Sequence, residues 1–214
     1  LCNYDKINEL LKKQKFDGIF HFAAKSLVEE SFLHQDTYLK NNVLGTINLL
    51  KIMIENEWDN LVFASSASVY GNPNNACIDE THETSPISPY GKSKLKCEKL
   101  IIKMLQKHNL KYSILRYFNV SGANKKYDIG ECRKQETHLV PLIFRMLDDD
   151  KIEFKVYGSD FKTYDGTCVR DYIHINDIVR AQFMSFKSIV ESQSSNILNL
   201  GTGIGSSVLE VIKA

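Results

Sequence analysis

The sequence predicts an α/β protein: a doubly wound parallel sheet, present in part, joined to part of a smaller second domain. Three observations carry that prediction. Short apolar runs suited to strands buried on both faces, "FDGIFHFAA" (16–24), "NLVFASSA" (60–67) and "KYSILRYFNV" (111–120), alternate with segments of helical periodicity. Strand, helix, strand, helix, strand is the order of a parallel sheet with crossover helices. After Gly122 the alternation gives way to a long polar connection, "ANKKYDIGECRKQETH" (123–138), of a length that is usually functional or mobile.

Taken in order, "DKINELLKKQ" (5–14) sets Ile7, Leu10 and Leu11 at helical spacing, with Asp5 placed to cap its start. One long helix is expected over 37–56, with Val43, Ile47, Leu50 and Ile54 along one stripe. Another enters at Pro89, where a missing N–H costs nothing, and buries Leu95, Leu100, Ile101 and Leu105. Beyond the polar connection a helix is expected near "LVPLIFRML" (139–147) and a strand at "KIEFKVYG" (151–158). A loop, "SDFKTYDGTCVRD" (159–171), then leads to strand, helix and strand ending in "NILNL" (196–200). Residues 1–121 read as the first domain and 122–214 mostly as the second, with some segments returning to the first sheet.

Composition removes several classes of function. Among 214 residues the net charge is +1 and Lys is interleaved with Asp and Glu, so the concentrated basic footprint of a nucleic-acid surface is missing. No run approaches the roughly 20 apolar residues of a membrane helix, and the opening residues have no signal-peptide pattern. Five scattered cysteines without C-x-x-C spacing fit a reduced, cytoplasmic setting. No His/Cys/Asp/Glu cluster has metal spacing, so no metal is expected, and "DDD" at 148–150 reads as a solvated helix end. His21 and His174 lie in apolar strands and are expected to be satisfied core histidines.

"NLGTGIGSSVLEV" (199–211) has the outline of a dinucleotide-binding turn, but Gly201, Gly203 and Gly205 are spaced two and two rather than G-x-G-x-x-G. A plain strand-to-helix turn is the expectation. The alternation also starts in mid-pattern, and the expectation is that a first strand, its glycine loop and a helix lie upstream.

The chemistry concentrates elsewhere. Tyr90 and Lys94, four residues apart, share a helix face. A phenol titrates near 10 and is a poor base at neutral pH. A cation about 4 Å away, at an effective dielectric near 20, favours the phenolate by roughly 4 kcal/mol. That is enough to lower the pKa by about three units and poise the phenol for abstracting an alcohol proton. The same spacing also occurs on ordinary surface helices. Ser66 adds a hydroxyl at the carboxyl end of a predicted strand, where α/β sites form, although turn capping is an alternative use for it.

Ser66 with "YGKSK" resembles the Ser-Tyr-x-x-x-Lys triad of the extended short-chain dehydrogenase/reductases. The blocks "HFAAKSLVEES", "NNVLGT", "SSASVYG", "SPYGKSK", "LRYFNVSGA", "ETHLVPL", "DGTCVRDYIH" and "NLGTGIGSSVLEV" are similar, in order, to the UDP-glucose 4-epimerase branch of that family. The resemblance covers essentially the whole chain. It implies a Rossmann-like sheet, tightly held NAD and a UDP-sugar substrate, without the amino-terminal glycine loop and the carboxyl-terminal part. It also implies that these residues alone do not turn over, and that the full-length protein is a cytoplasmic homodimer of galactose metabolism.

Carried over residue by residue, Ser66, Tyr90 and Lys94 match the catalytic triad. On the cofactor side the resemblance assigns Phe22, Ala23, Ala24, Asn41 and Phe118, with Ser26 standing where many epimerases have lysine. Asn119, His138 and Leu139 fall in the substrate segment, where some relatives have Asn in place of His138. Lys155, Val156 and Tyr157 flank the uridine, and Arg170 pairs with a substrate phosphate, a task suited to its fork of donors. Phe22 and Phe118, read without the resemblance, are equally plain core aromatics. The alternatives are another UDP-sugar 4-epimerase acting on UDP-N-acetyl sugars or pentoses, a sugar-nucleotide 4,6-dehydratase, and a non-catalytic fragment. Ala67 and Ser68 stand where the dehydratases carry an acidic pair, which weighs against that reading.

Overall fold

A computed structural model describes residues 1–12, 14–73, 77–134, 136–149 and 154–214. In chain order the elements are α1 (Tyr4–Leu11), β1 (Ile19–His21), α2 (Val28–Leu33), α3 (Gln35–Tyr38), a π-helical turn (Leu39–Leu44), α4 (Gly45–Glu55), β2 (Asn60–Ser66) and a 3₁₀ turn (Ala67–Val69). They continue with α5 (Pro89–Lys107), β3 (Lys111–Tyr117), β4 (Asn119–Ser121), α6 (Leu139–Asp148), β5 (Val169–His174), α7 (Ile175–Ser192), β6 (Asn196–Leu200), β7 (Gly205–Ser207) and α8 (Val208–Lys213). The chain parts into two compact units, Leu1–Tyr117 with Ala181–Asn199, and Phe118–Arg180 with Leu200–Ala214.

In the first unit the strands order as β1-β2-β3-β6. β1 pairs parallel to β2, with Ile19 opposite Leu61, and β2 parallel to β3, with Asn60 opposite Lys111 and Ser66 opposite Tyr117. The α/β, parallel-sheet expectation therefore stands. β2 is buried along nearly its whole length, as an apolar run covered on both faces should be. Leu61 and Phe63 from β2, Ile114 from β3, Leu50, Ile52 and Met53 from α4 and Ile101 and Leu105 from α5 form one core. Truncating any of these to Ala costs about 2–5 kcal/mol.

Three expectations change in this unit. Asn3, not Asp5, caps α1, because its side chain reaches the Lys6 amide at 3.0 Å while Asp5 sits in the first turn. On α5 the deeply buried stripe is Tyr90, Lys94, Cys97, Glu98, Ile101 and Leu105, leaving Leu95 and Leu100 half-buried. The single helix over 37–56 is broken by the π turn into α3 and α4. At the end of that turn the Asn42 carbonyl accepts from the Gly45 amide and also from the Thr46 hydroxyl at 2.6 Å and the Cys97 thiol at 3.4 Å.

The second unit holds a three-stranded sheet, β4-β5-β7, with β4 parallel and β7 antiparallel to β5. A capping box closes the start of α8: the Glu210 amide donates to Ser207 Oγ at 3.1 Å, and the Ser207 amide to Glu210 at 2.9 Å. Of the strand expected at 151–158, residues 151–153 lie outside the described residues and 154–158 form no strand.

Candidate active site

Parallel pairing carries β2 to the carboxyl edge of the sheet, where it ends on Ser66. Ser66 is extended and caps the 3₁₀ turn that follows, its hydroxyl accepting from the Ser68 amide at 3.2 Å. α5 begins at Pro89, and the Ser88 side chain caps it by accepting from the Gly91 amide at 3.0 Å. That entry sets Tyr90 and Lys94 on the face of α5 turned toward β2, where they are only 8% and 4% exposed. The pair therefore does not lie on an exposed helix face. Gly91 is what permits the approach: a Cβ there would sit 2.5 Å from the Ser68 carbonyl oxygen.

The electrostatics differ from the sequence expectation. Burial pushes the Tyr90 phenol up, and the neighbouring Ser66 hydroxyl pulls in the opposite direction. Lys94 is pulled down to about 8 by burial, against the upward effects of Cys97 and Glu98. Its ammonium donates to the Ala64 carbonyl at 2.7 Å and lies 4.9 Å from the centre of the Phe63 ring and 5.9 Å from that of Tyr90. The cation is directed at a backbone carbonyl, so the phenol feels its desolvation more than its neighbour's charge.

Among the described residues, Ala64 is the only hydrogen-bond acceptor for Lys94, although an ammonium has three donors. A buried cation with two unused donors fits a polyhydroxylated ligand such as a cofactor ribose. The segment after β1 presents Phe22, half-exposed and stacked on Phe20 at 6.3 Å, followed by exposed Ala23 and half-buried Ala24. Phe22 is therefore not a core aromatic. Ser26 is exposed, and half-buried Asn41 donates to Asn42 at 3.0 Å. Apolar floor, small residues and a buried cation together suit a dinucleotide.

Several residues that support this site escaped the sequence reading. Asn42 is wholly buried and satisfied: it accepts from the Lys25 amide at 2.8 Å and donates to the Lys25 carbonyl and Ser93 hydroxyl, each at 3.0 Å. It thus ties the loop after β1 to α5. His21 is buried as expected, 2.9 Å from the Thr46 hydroxyl, and burial lowers it to about 4, so it is neutral near pH 7. Glu98 and Arg116 form a buried bidentate pair at 3.1 and 2.8 Å. A charge inside the apolar run "SILRYF" was the one signal that a partner must exist.

The other assigned residues belong to the second unit. Phe118 is half-buried and its amide bonds to the Leu200 carbonyl at 3.1 Å. Asn119 is exposed on β4 opposite Tyr172. Leu139 opens α6 and is half-buried, whereas Lys155, Val156 and Tyr157 are exposed. Arg170, exposed on β5, donates to its neighbour Val169 at 3.0 Å. His174 is exposed rather than core, and its Nδ1 accepts from the Asn176 amide at 3.1 Å at the start of α7.

No metal site was expected, yet donor atoms of Glu131, Glu136 and His138 gather within 4.8 Å of one another. Each of the three already makes contacts within the protein. Glu136 accepts from the Thr137 and His138 amides, and Glu131 lies 2.5 Å from Arg133 and 2.8 Å from His138 Nδ1. At the glycine turn, the Asp171 carboxylate accepts from the Thr202 amide and hydroxyl and the Gly203 amide, all at 2.8–2.9 Å. Those amides already hold an anion from their own chain.

Comparison with known proteins places this arrangement. The sequence profile of the NAD dependent epimerase/dehydratase family matches residues 1–201. UDP-glucose 4-epimerase of Lactobacillus helveticus is 39% identical over 97% of this chain and 63% of its own length. That of Rhizobium meliloti is 40% identical over 98% and 64%. Among solved structures, UDP-glucose 4-epimerase from Brucella ovis in complex with NAD superposes with a TM-score of 0.92 at 36% identity, covering 99% of this chain and 65% of that one. The UDP-Glc/GlcNAc 4-epimerase of Campylobacter jejuni gives 0.82 at 35%, covering 99% and 64%. The chain thus spans a little under two thirds of the length of these relatives.

Proposed function

The chain belongs to the NAD dependent epimerase/dehydratase family, and from that premise we propose that the full-length protein is a UDP-glucose 4-epimerase, interconverting UDP-glucose and UDP-galactose. The observation that carries the reading is the buried Tyr90–Lys94 pair on α5 facing Ser66 at the end of β2.

When bound, NAD would supply the hydride acceptor for transient oxidation at sugar C4 and the hydride donor for reduction at the opposite face. Tyr90 takes the proton from the 4-hydroxyl through its phenolate oxygen and later gives it back. Since burial raises this phenol, its ionisation depends on nearby donors and positive charge. Ser66 donates to the same substrate oxygen, as hydroxyl and then as ketone. Lys94, with a pKa of about 8, is mostly protonated at pH 7 and supplies the positive charge, and its remaining N–H donors would hold the cofactor ribose.

Phe22, Ala23, Ala24, Ser26, Asn41 and Phe118 form the cofactor side of this assignment. Asn119, His138, Leu139, Lys155, Val156, Tyr157 and Arg170 form the sugar-nucleotide side. The reading extends to a homodimer in the cytoplasm; among the described residues no helix is long and apolar enough to cross a membrane.

The test is formation of UDP-galactose from UDP-glucose by full-length protein and its Tyr90→Phe variant. A loss on the order of a thousandfold is expected; full activity in the variant overturns the mechanism. The likeness to a UDP-Glc/GlcNAc 4-epimerase favours a second reading, UDP-N-acetylglucosamine as substrate. Comparing turnover of the two sugars separates them.

A further inference from the structure

Three consecutive residues of β2 meet three residues of α5 spaced one turn apart. Ser66 lies beside Tyr90, the Ala64 carbonyl accepts from Lys94 at 2.7 Å, and the Ser65 hydroxyl donates to Glu98. Tyr90, Lys94 and Glu98 follow one another at intervals of four, so they fall on one face of the helix. Two of these three rungs are triad residues. The third is closed from the far side by Arg116, which stands opposite Ser65 in the β2–β3 register and grips both Glu98 oxygens.

We infer that Glu98, held by Arg116 and joined to Ser65, is a positioning residue for proton transfer: it fixes the spacing between the Ser66 strand end and the helix turn that carries Tyr90 and Lys94. Burial and satisfaction support this. Glu98 is 1% exposed and Arg116 5%, and Arg116 donates a third bond, from Nη1, to the Tyr70 phenol at 2.8 Å. Tyr70 in turn donates to Asn199 at 2.7 Å. Such a network holds geometry only when every member is satisfied, which it is here. The groups that face Glu98 are Lys94 and Cys97 on its own helix, Ser65 on β2 and Arg116 on β3; His21 on β1 faces Lys94.

The inference rests on the proposed epimerisation, and Ser65→Ala tests it without disturbing the Glu98–Arg116 pair. In full-length protein it should lower kcat about tenfold with KM for UDP-glucose unchanged, since it shifts reacting groups and touches no substrate. Ser65→Thr, which keeps the hydroxyl, should restore most of the loss. Glu98→Gln, where it folds, should move the alkaline limb of the pH profile to lower pH, because Lys94 loses an anion that favours its ammonium. A purely structural role moves the thermal midpoint and leaves kcat per folded molecule and the pH limb in place. Ser65→Ala with kcat within about twofold of the parent, alongside an inactive Tyr90→Phe, overturns this inference and leaves the epimerase reading standing. An active Tyr90→Phe removes both.

Discussion

Two junctions between a strand and the helix beyond it invite comparison: β2 leading to α5, and β6 leading through the glycine turn to α8. The second carries the more familiar outline, G-T-G-I-G between strand and helix. The first carries only a Tyr and a Lys four apart. In three dimensions their capacities are reversed. At the glycine turn the amides of Thr202 and Gly203 are held by the Asp171 carboxylate. At the β2–α5 junction a buried ammonium keeps donors in reserve, and a buried phenol lies next to a hydroxyl. A site is marked by polar capacity that the fold leaves unused, and a motif's outline does not report that.

The comparison can be broken from either side. Among backbone and turn substitutions, which leave the triad in place, the largest effect is expected from Gly91→Ala. Its Cβ would press the Ser68 carbonyl oxygen at 2.5 Å and push α5 away from Ser66. Ala is the better helix former by about 1 kcal/mol, so the helix itself should persist. Steady-state kinetics should show kcat down on the order of a hundredfold, with little change in circular dichroism.

Asp171→Ala attacks the other junction and should cost about 2 kcal/mol in denaturant unfolding, because a charged acceptor of three donors is lost. Gly203→Ala is the mildest. No atom lies within 4 Å of the added Cβ, but φ is +77°, so only backbone strain of about 1 kcal/mol should appear in the same measurement. If Gly203→Ala proved more damaging to turnover than Gly91→Ala, the ranking of the two junctions would be wrong.

Much of this was legible in the residues. The strands β1, β2 and β3 and the start of α5 at Pro89 follow from periodicity and capping, whereas Tyr90 and Lys94 were weak by spacing alone and gained weight from Ser66 at a strand end and from the family resemblance. What was not legible depends on contacts remote in sequence. Glu98 looks like one more charge on a helix until Arg116, eighteen residues on, closes over it. Asp171 and the glycine turn are thirty-one residues apart. His174 has the apolar neighbours of a core residue and still faces solvent, because β5 belongs to a small sheet with less cover. The Tyr90 pKa was misjudged for the same reason: sequence gives the distance between charges but not the water removed from around them.

The π turn at Leu39–Leu44 has a consequence for heredity. One residue on a helix advances its phase by about 100°, so the turn acts as a phase shifter between α3 and α4. It lets Asn42 face inward beneath the loop after β1 while Leu49, Leu50 and Met53 face the core. A one-codon deletion within it would straighten the helix and rotate either the asparagine or the core stripe out of place. Substitutions at its exposed positions, Leu39, Lys40 and Leu44, can be absorbed one at a time, whereas its length cannot drift.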